Sequence, residues 1–234
     1  MTLLTICQDA ADEIGITRPS AVAGSQQPEV QKLFRYAKKE GKELLKRGYW
    51  QGIRQEQTFT SLAQETQTAM IPADFDRFVN ETFWNRSRRR PLLGPVTPQQ
   101  WQNLKAWTSS PVQDTFIIRG SDVLIDPAPP AGETLAFEYI SSYYCTDSGG
   151  TALAVWTADT DLPRLPEELF ILGIKWRYLE GEGLPFENAL ANYESQVRQA
   201  LTGDTAKRTV NMAARSPYGS PRPGIVVPEG DWSI

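Results

Sequence analysis

Side chains able to do acid–base, nucleophilic or metal chemistry are few in this chain, and the commonest of them is missing. None of the 234 residues is histidine. That removes imidazole acid–base work, Ser–His and Cys–His nucleophile pairs and nearly every zinc site. Carboxylates, lysine or tyrosine would have to do any chemistry. The pairs Asp74/Asp76 and Glu180/Glu182 have the residue types of a glycosidase. Such an enzyme needs its two carboxyls on opposite sides of a substrate, so these neighbours read as ordinary surface acids. Asp159 and Asp161 could begin a calcium loop, but the later oxygen ligands and the closing glutamate are missing. A polar turn ahead of a helix is expected there. Gly181-Glu-Gly183 follows a helical pattern instead of opening one, the wrong order for cradling phosphate. Cys7 and Cys145 stand alone and are expected to be small buried hydrophobes. No cofactor is expected and no catalytic residue is assigned.

Charge suggests contact surfaces. Arg86-Ser-Arg88-Arg89-Arg90-Pro91 is the one dense basic run. It is expected at a β-hairpin tip, either solvated or touching DNA or an acidic partner. A helix ending near Gly48 carries Lys32, Arg35, Lys38, Lys39, Lys42, Lys46 and Arg47 with Glu29, Glu40 and Glu43 on its expected outer face. The net charge of −4 argues against a dedicated nucleic-acid binder, which needs a basic surface. The seven tryptophans do not interleave with basic residues, so they read as core and interface anchors, not a base-stacking platform.

The elements that must position these residues follow from periodicity. A hydrophobic content of 40% suits a globular chain, and this length can bury roughly 70% of its unfolded surface. No apolar run approaches the roughly 20 residues that span a bilayer. The start, Met-Thr-Leu-Leu-Thr-Ile-Cys, lacks the basic region of a signal peptide, so folding in the cytosol is expected. Thr2 caps a first helix that ends at Gly15, and Val30 to Leu45 lays out the second. Thr58-Phe-Thr60 and Thr68-Ala-Met-Ile71 read as a hairpin, and Ile71-Pro-Ala-Asp-Phe-Asp-Arg77 as a strand followed by a turn. Thr97 with Gln100 forms a capping box for a short helix through Trp101. Residues 113–125 form a hairpin around Gly120-Ser-Asp122, 133–144 the last long strand, and Ser148-Gly-Gly-Thr151 a loop.

The closing helical hairpin is the clearest unit. Pro166 and two glutamates open a helix whose stripes are Leu169, Leu172, Gly173, Trp176, Leu179 and Ile171, Ile174, Tyr178. Trp176 is therefore expected in the core. Gly181 and Gly183 stop this helix, Pro185 starts the next, and Phe186, Leu190, Tyr193, Val197 and Leu201 form its inner stripe. Residues 205–228 hold Lys207, Arg208, Arg215 and Arg222 without an acid, among several prolines. Such a segment cannot fold by itself and suits docking on a partner.

The ordered set Asp159-Thr-Asp-Leu-Pro, Leu165-Pro-Glu, Trp176-Arg-Tyr, Gly183-Leu-Pro and Tyr193-Glu-Ser-Gln resembles the head-to-tail adaptor (head completion) proteins of tailed bacteriophages, short-tailed type. Residues 71–77 and the Pro-Ala-Pro-Pro loop at 127–130 share the likeness. The resemblance implies an α+β fold: an antiparallel helical bundle built from both ends of the chain (1–49 and 159–203), an inserted antiparallel β-rich domain (50–158) and an extended C-terminal docking tail (204–234). It also implies a non-enzymatic virion protein at the head–tail junction, made in the host cytoplasm. A ring of usually twelve copies would lie beneath the portal, extend the DNA channel and receive the tail or nozzle. The expected partners are the portal protein, neighbouring copies, the downstream tail protein and DNA passing without sequence-specific binding, with no membrane. Portal contacts are expected from Arg208, Arg215, Tyr218, Arg222, Ile225, Val226, Val227 and Trp232, and channel or partner contacts from Arg86, Arg88, Arg89 and Arg90. Two other readings are a peptidoglycan-degrading glycosidase using carboxylates and a carbohydrate-binding tail module.

Overall fold

The computed structural model describes residues 1–106 and 113–204. The fold is α+β with antiparallel sheets. Helix α1 (Leu3–Ile14) begins at a capping box in which Thr2 and Thr5 bond each other's backbone, and ends at Gly15 with φ +84°. Two more of its first N–H groups are satisfied from far along the chain. Leu3 N donates to Asp161 O (2.8 Å) and Leu4 N to Asp159 O (3.1 Å). Helix α2 (Pro28–Arg47) carries proline in its first turn. Helices α4 (Glu167–Gly181) and α5 (Glu187–Asp204) form the hairpin. Helix α5 starts two residues beyond Pro185 and runs through Asp204, so the predicted tail boundary at 204 moves one residue on. Helix α4 touches α1, α2 and α5, and their shared core takes in Ile140, Tyr144 and Trp156.

Between α2 and α4 lie strands β1 (Arg54–Thr60), β2 (Thr66–Gln67), β3 (Phe75–Phe78), β4 (Trp84–Asn85), β5 (Arg90–Pro91), β6 (Thr115–Arg119), β7 (Asp122–Asp126), β8 (Thr134–Ser141), β9 (Cys145–Thr146), β10 (Ala152–Leu153) and β11 (Leu162–Pro163), with helix α3 (Pro98–Ala106) after β5. Strand β8 is the spine of the first sheet. Strand β1 pairs along one edge of it, Arg54 opposite Ile140 through Thr60 opposite Thr134, while β3 and β4 share the other edge. Strands β2, β7 and β6 form a second sheet. Alternation along the strands separates two cores. Phe59, Leu135 and Phe137 meet Phe116, Val123 and Ile125 between the sheets, with Phe83 edge-on to Phe116 at 4.7 Å. Ile117 and Leu124 point the other way, onto Trp101 of α3.

Several expectations need correcting. The 58–60/68–71 hairpin does not form: β1 pairs with β8, and β2 with β7. A distant partner wins because it seats Phe59 in the aromatic core. The buried Gln67 then closes the intervening turn, accepting from Leu62 N (2.7 Å) and donating to Gln64 O (2.5 Å). Residues 71–77 turn first and then run as a strand, the reverse of the expected order. The loop at 148–151 lies within a small three-stranded sheet, β10-β9-β11, which the sequence reading missed.

Trp176 is half-buried, not in the core, because the most deeply buried stripe of α4 is Phe170, Gly173, Ile174 and Arg177. Its ring lies 6.1 Å from Tyr193 and 4.4 Å from the Arg177 guanidinium. Trp176→Ala is accordingly expected to cost about 1–2 kcal/mol, read from the urea midpoint, and not the 3 or more of a filled core site.

Candidate functional site

The carboxylates come first, since any enzymatic role would rest on them. Asp74 accepts hydrogen bonds from Tyr139 Oη (2.9 Å) and Ser141 Oγ (2.6 Å), tying the turn before β3 to β8. Burial, then that bond, pushes the Tyr139 phenol well above its ordinary range. Asp76 pairs with Arg77 (2.8 Å), and Glu182 with Lys32. Asp159 accepts from the backbone N–H of Val22 and Ala23, and the buried Asp161 from those of Thr157 and Ala158. Both aspartates are clamps that bring the chain ahead of α4 against α1 and the loop following it. Among the described residues no group of three or more His, Cys, Asp or Glu is placed to hold a metal ion. Cys7 and Cys145 are unpaired and buried, and burial pushes both thiols up to about 12, so neither is a ready nucleophile.

One ionic group was misplaced by the sequence reading. Glu40, expected on the outer face of α2, is fully buried, as is Tyr193, and Arg177 is 3% exposed. Arg177 donates to Glu40 Oε2, and Tyr193 Oη donates to Oε1 at 2.5 Å. The cluster joins α2, α4 and α5. Gly173 permits it, because a Cβ there would overlap the Glu40 carboxyl. A signal was available: Leu33, Ala37, Glu40 and Leu44 recur at helical spacing, as do Phe170, Ile174 and Arg177, so each charge lies on an apolar stripe.

The basic run does sit at a hairpin tip, with β4 and β5 as its arms and residues 86–89 as the turn. It is more firmly held than a solvated run. Arg86 pairs with Glu56, Arg88 with Glu133, and Arg90 with Asp114 (2.8 Å), whose side chain is only 8% exposed. Arg89 is exposed at a positive φ of 56°. Beside this tip the outer face of the first sheet forms an open groove of about 540 Å³, lined by Glu56, Glu81, Trp84, Arg86, Arg89 and Glu138 among others. Arg90→Ser is expected to lower stability by about 1–2 kcal/mol, because Asp114 would be left buried with its charge unpaired. Arg89→Ser should leave the thermal midpoint unchanged, and melting curves of the two single variants separate tip from strut.

The basic face of α2 is partly neutralised. Arg47 pairs with Glu194 (2.7 Å), and Lys38 lies 3.8 Å over the ring of Phe34. Arg35, Lys39, Lys42 and Lys46 remain exposed along one face. The residues expected to bind a portal, Arg208, Arg215, Tyr218, Arg222, Ile225, Val226, Val227 and Trp232, lie outside the described residues.

The polar groups named above serve mainly as struts, and what stays open is contact surface: a groove, a hairpin tip and a basic helix face. Those are the features of an assembly protein. The chain belongs to the SU10 adaptor protein family, whose model matches residues 1–221. It is therefore a phage adaptor protein, with the structural role and virion location that the family carries. A search of curated proteins returned no match. No helix among the described residues is long and apolar enough to cross a membrane.

Proposed function

We propose that this chain is the head-to-tail adaptor of a short-tailed phage, arranged as a ring of about twelve copies beneath the portal. In this reading the ring extends the DNA channel and offers the tail or nozzle its attachment site. The portal is held by the segment after Asp204 through Arg208, Arg215, Arg222, Tyr218, Ile225, Val226, Val227 and Trp232. The observation that carries the reading is the extent of the family match, which runs through all of the described fold and on into the basic segment as far as residue 221. The negative overall charge supports a conduit role, since passing DNA must not adhere to the wall. Arg86, Arg88 and Arg89 at the hairpin tip are assigned to partner contact rather than to sequence-specific DNA binding, with Arg90 as the strut beneath them.

Mixing the purified protein with portal rings tests this. Co-elution in size exclusion and an added ring beneath the portal in electron micrographs are the expected results. A protein that stays monomeric beside intact portals would refute the assignment. A sugar-binding role has one observation of its own in favour, the exposed Trp84 in a groove with Glu56, Glu81 and Glu138. Quenching of tryptophan fluorescence by cell-wall oligosaccharides, lost in Trp84→Ala, would support that role instead.

A further inference from the structure

Strand β1 is an unfinished edge. Its seven residues pair with β8 alone. Ser61 N donates to Glu133 O (2.8 Å) at the end of this ladder. That fixes the alternation, so Gln55, Gln57 and Phe59 turn their backbone N–H and C=O groups to β8, while Arg54, Glu56, Thr58 and Thr60 turn theirs outward. Arg54 N donates to Gln51 O, but among the described residues no backbone partner is found for Glu56, Thr58 and Thr60, and all four residues are exposed. The strand has no proline and no bulge in its register to blunt it. A straight edge of this kind is a template for one more strand, and folded proteins rarely leave it uncovered.

The chain beyond α5 begins beside that edge. Asp204 accepts from Gln51 N (2.6 Å), three residues before β1, and its carbonyl accepts from the Gln51 side-chain amide. A shallow groove of about 310 Å³ lined by Gln51, Arg54, Gln55, Glu56 and Glu138 lies there. Only one run of three successive β-formers occurs after Asp204, Ile225-Val226-Val227, and Pro223 and Pro228 bracket it. Prolines at both ends would limit an added strand to four residues and stop further strands from adding to it. The twenty residues from 205 to 224 can span roughly 65 Å when extended, far more than the roughly 23 Å length of β1.

We propose that, in the free protein, Gly224–Val227 of the same chain adds as a strand to the open edge of β1. The inference rests on reading residues 205–234 as a docking segment. It adds where that segment is held before the partner arrives: on the protein's own sheet, covering an edge that would otherwise pair with other copies. Portal docking then requires the strand to leave.

Amide hydrogen exchange of the free, full-length protein tests this without the portal, so its outcome is independent of the portal assignment. Exchange at two or more of Glu56, Thr58 and Thr60 should be about tenfold slower in the full chain than in a chain ending at Asp204. Gln55, Gln57 and Phe59, already bonded to β8, are the internal control and should not differ. The full-length double variant Ile225→Pro/Val226→Pro removes donors of both alternating orientations and should exchange like the shortened chain. Equal exchange in full and shortened chains overturns the proposal. So does protection that survives the double variant, which means another segment covers β1, and so does protection lost on dilution, which means the strand comes from a second copy.

Discussion

Arg177→Met is expected to destabilise the fold by about 3–5 kcal/mol, because it leaves the Glu40 carboxylate buried without its counter-ion. The size follows from burial. At 0% exposure for Glu40 and 3% for Arg177, neither charge has water to fall back on, and Tyr193 supplies only one neutral hydrogen bond. The loss should also depend on pH. In the native protein burial holds the Glu40 carboxyl above the ordinary 4.5, and the pull of Arg177 and Tyr193 offsets this only in part. A carboxyl raised in the folded state contributes most to stability below its unfolded value, and that contribution is lost as pH rises through the folded value. Without Arg177 the folded value climbs further. The deficit should therefore be smallest at acid pH and grow as pH rises above the ordinary carboxyl range, which urea midpoints measured from acid to neutral pH would show. Glu40→Leu/Arg177→Met should recover most of the loss, since a well-filled apolar pair commonly matches a buried ion pair. A deficit that does not change with pH would mean that Glu40 is not the group left stranded.

Removal of residues 205–234 should abolish attachment to portal-bearing heads while the rest of the protein still folds and melts cooperatively. The cut belongs after Asp204, not after Gly203, because the Asp204 carboxylate and carbonyl hold Gln51 ahead of β1. Ordering a docking segment costs about 1–2 kcal/mol of backbone entropy per residue. Its binding must therefore come from concentrated contacts: pockets for Tyr218, Ile225 and Trp232, and acidic groups for Arg208, Arg215 and Arg222. Heads lacking the adaptor, incubated with full and shortened protein and then sedimented, give the measurement. Normal attachment of the shortened chain would place the portal contact elsewhere, with the exposed Arg35, Lys39, Lys42 and Lys46 face of α2 as the next surface to alter.

What the sequence determined by itself was local in origin. The Thr2 and Thr97 caps, the stop at Gly15, the β6–β7 hairpin around Gly120 and the helical hairpin with its glycine turn all depend on residues within a few positions of each other. The hairpin tip at Arg86–Arg90 was legible for the same reason. The partners of those arginines were not, because Glu56, Asp114 and Glu133 lie 24 to 45 residues away. Tertiary structure alone decided that β1 crosses to β8, that the Asp159 carboxylate reaches the backbone of Val22 and Ala23, and that Glu40 finds Arg177 as its partner. In each case the winning partner is distant in sequence, and the gain is burial of apolar surface or satisfaction of a buried polar group. Local propensity does not encode either term, because both depend on which surfaces the folded chain brings together.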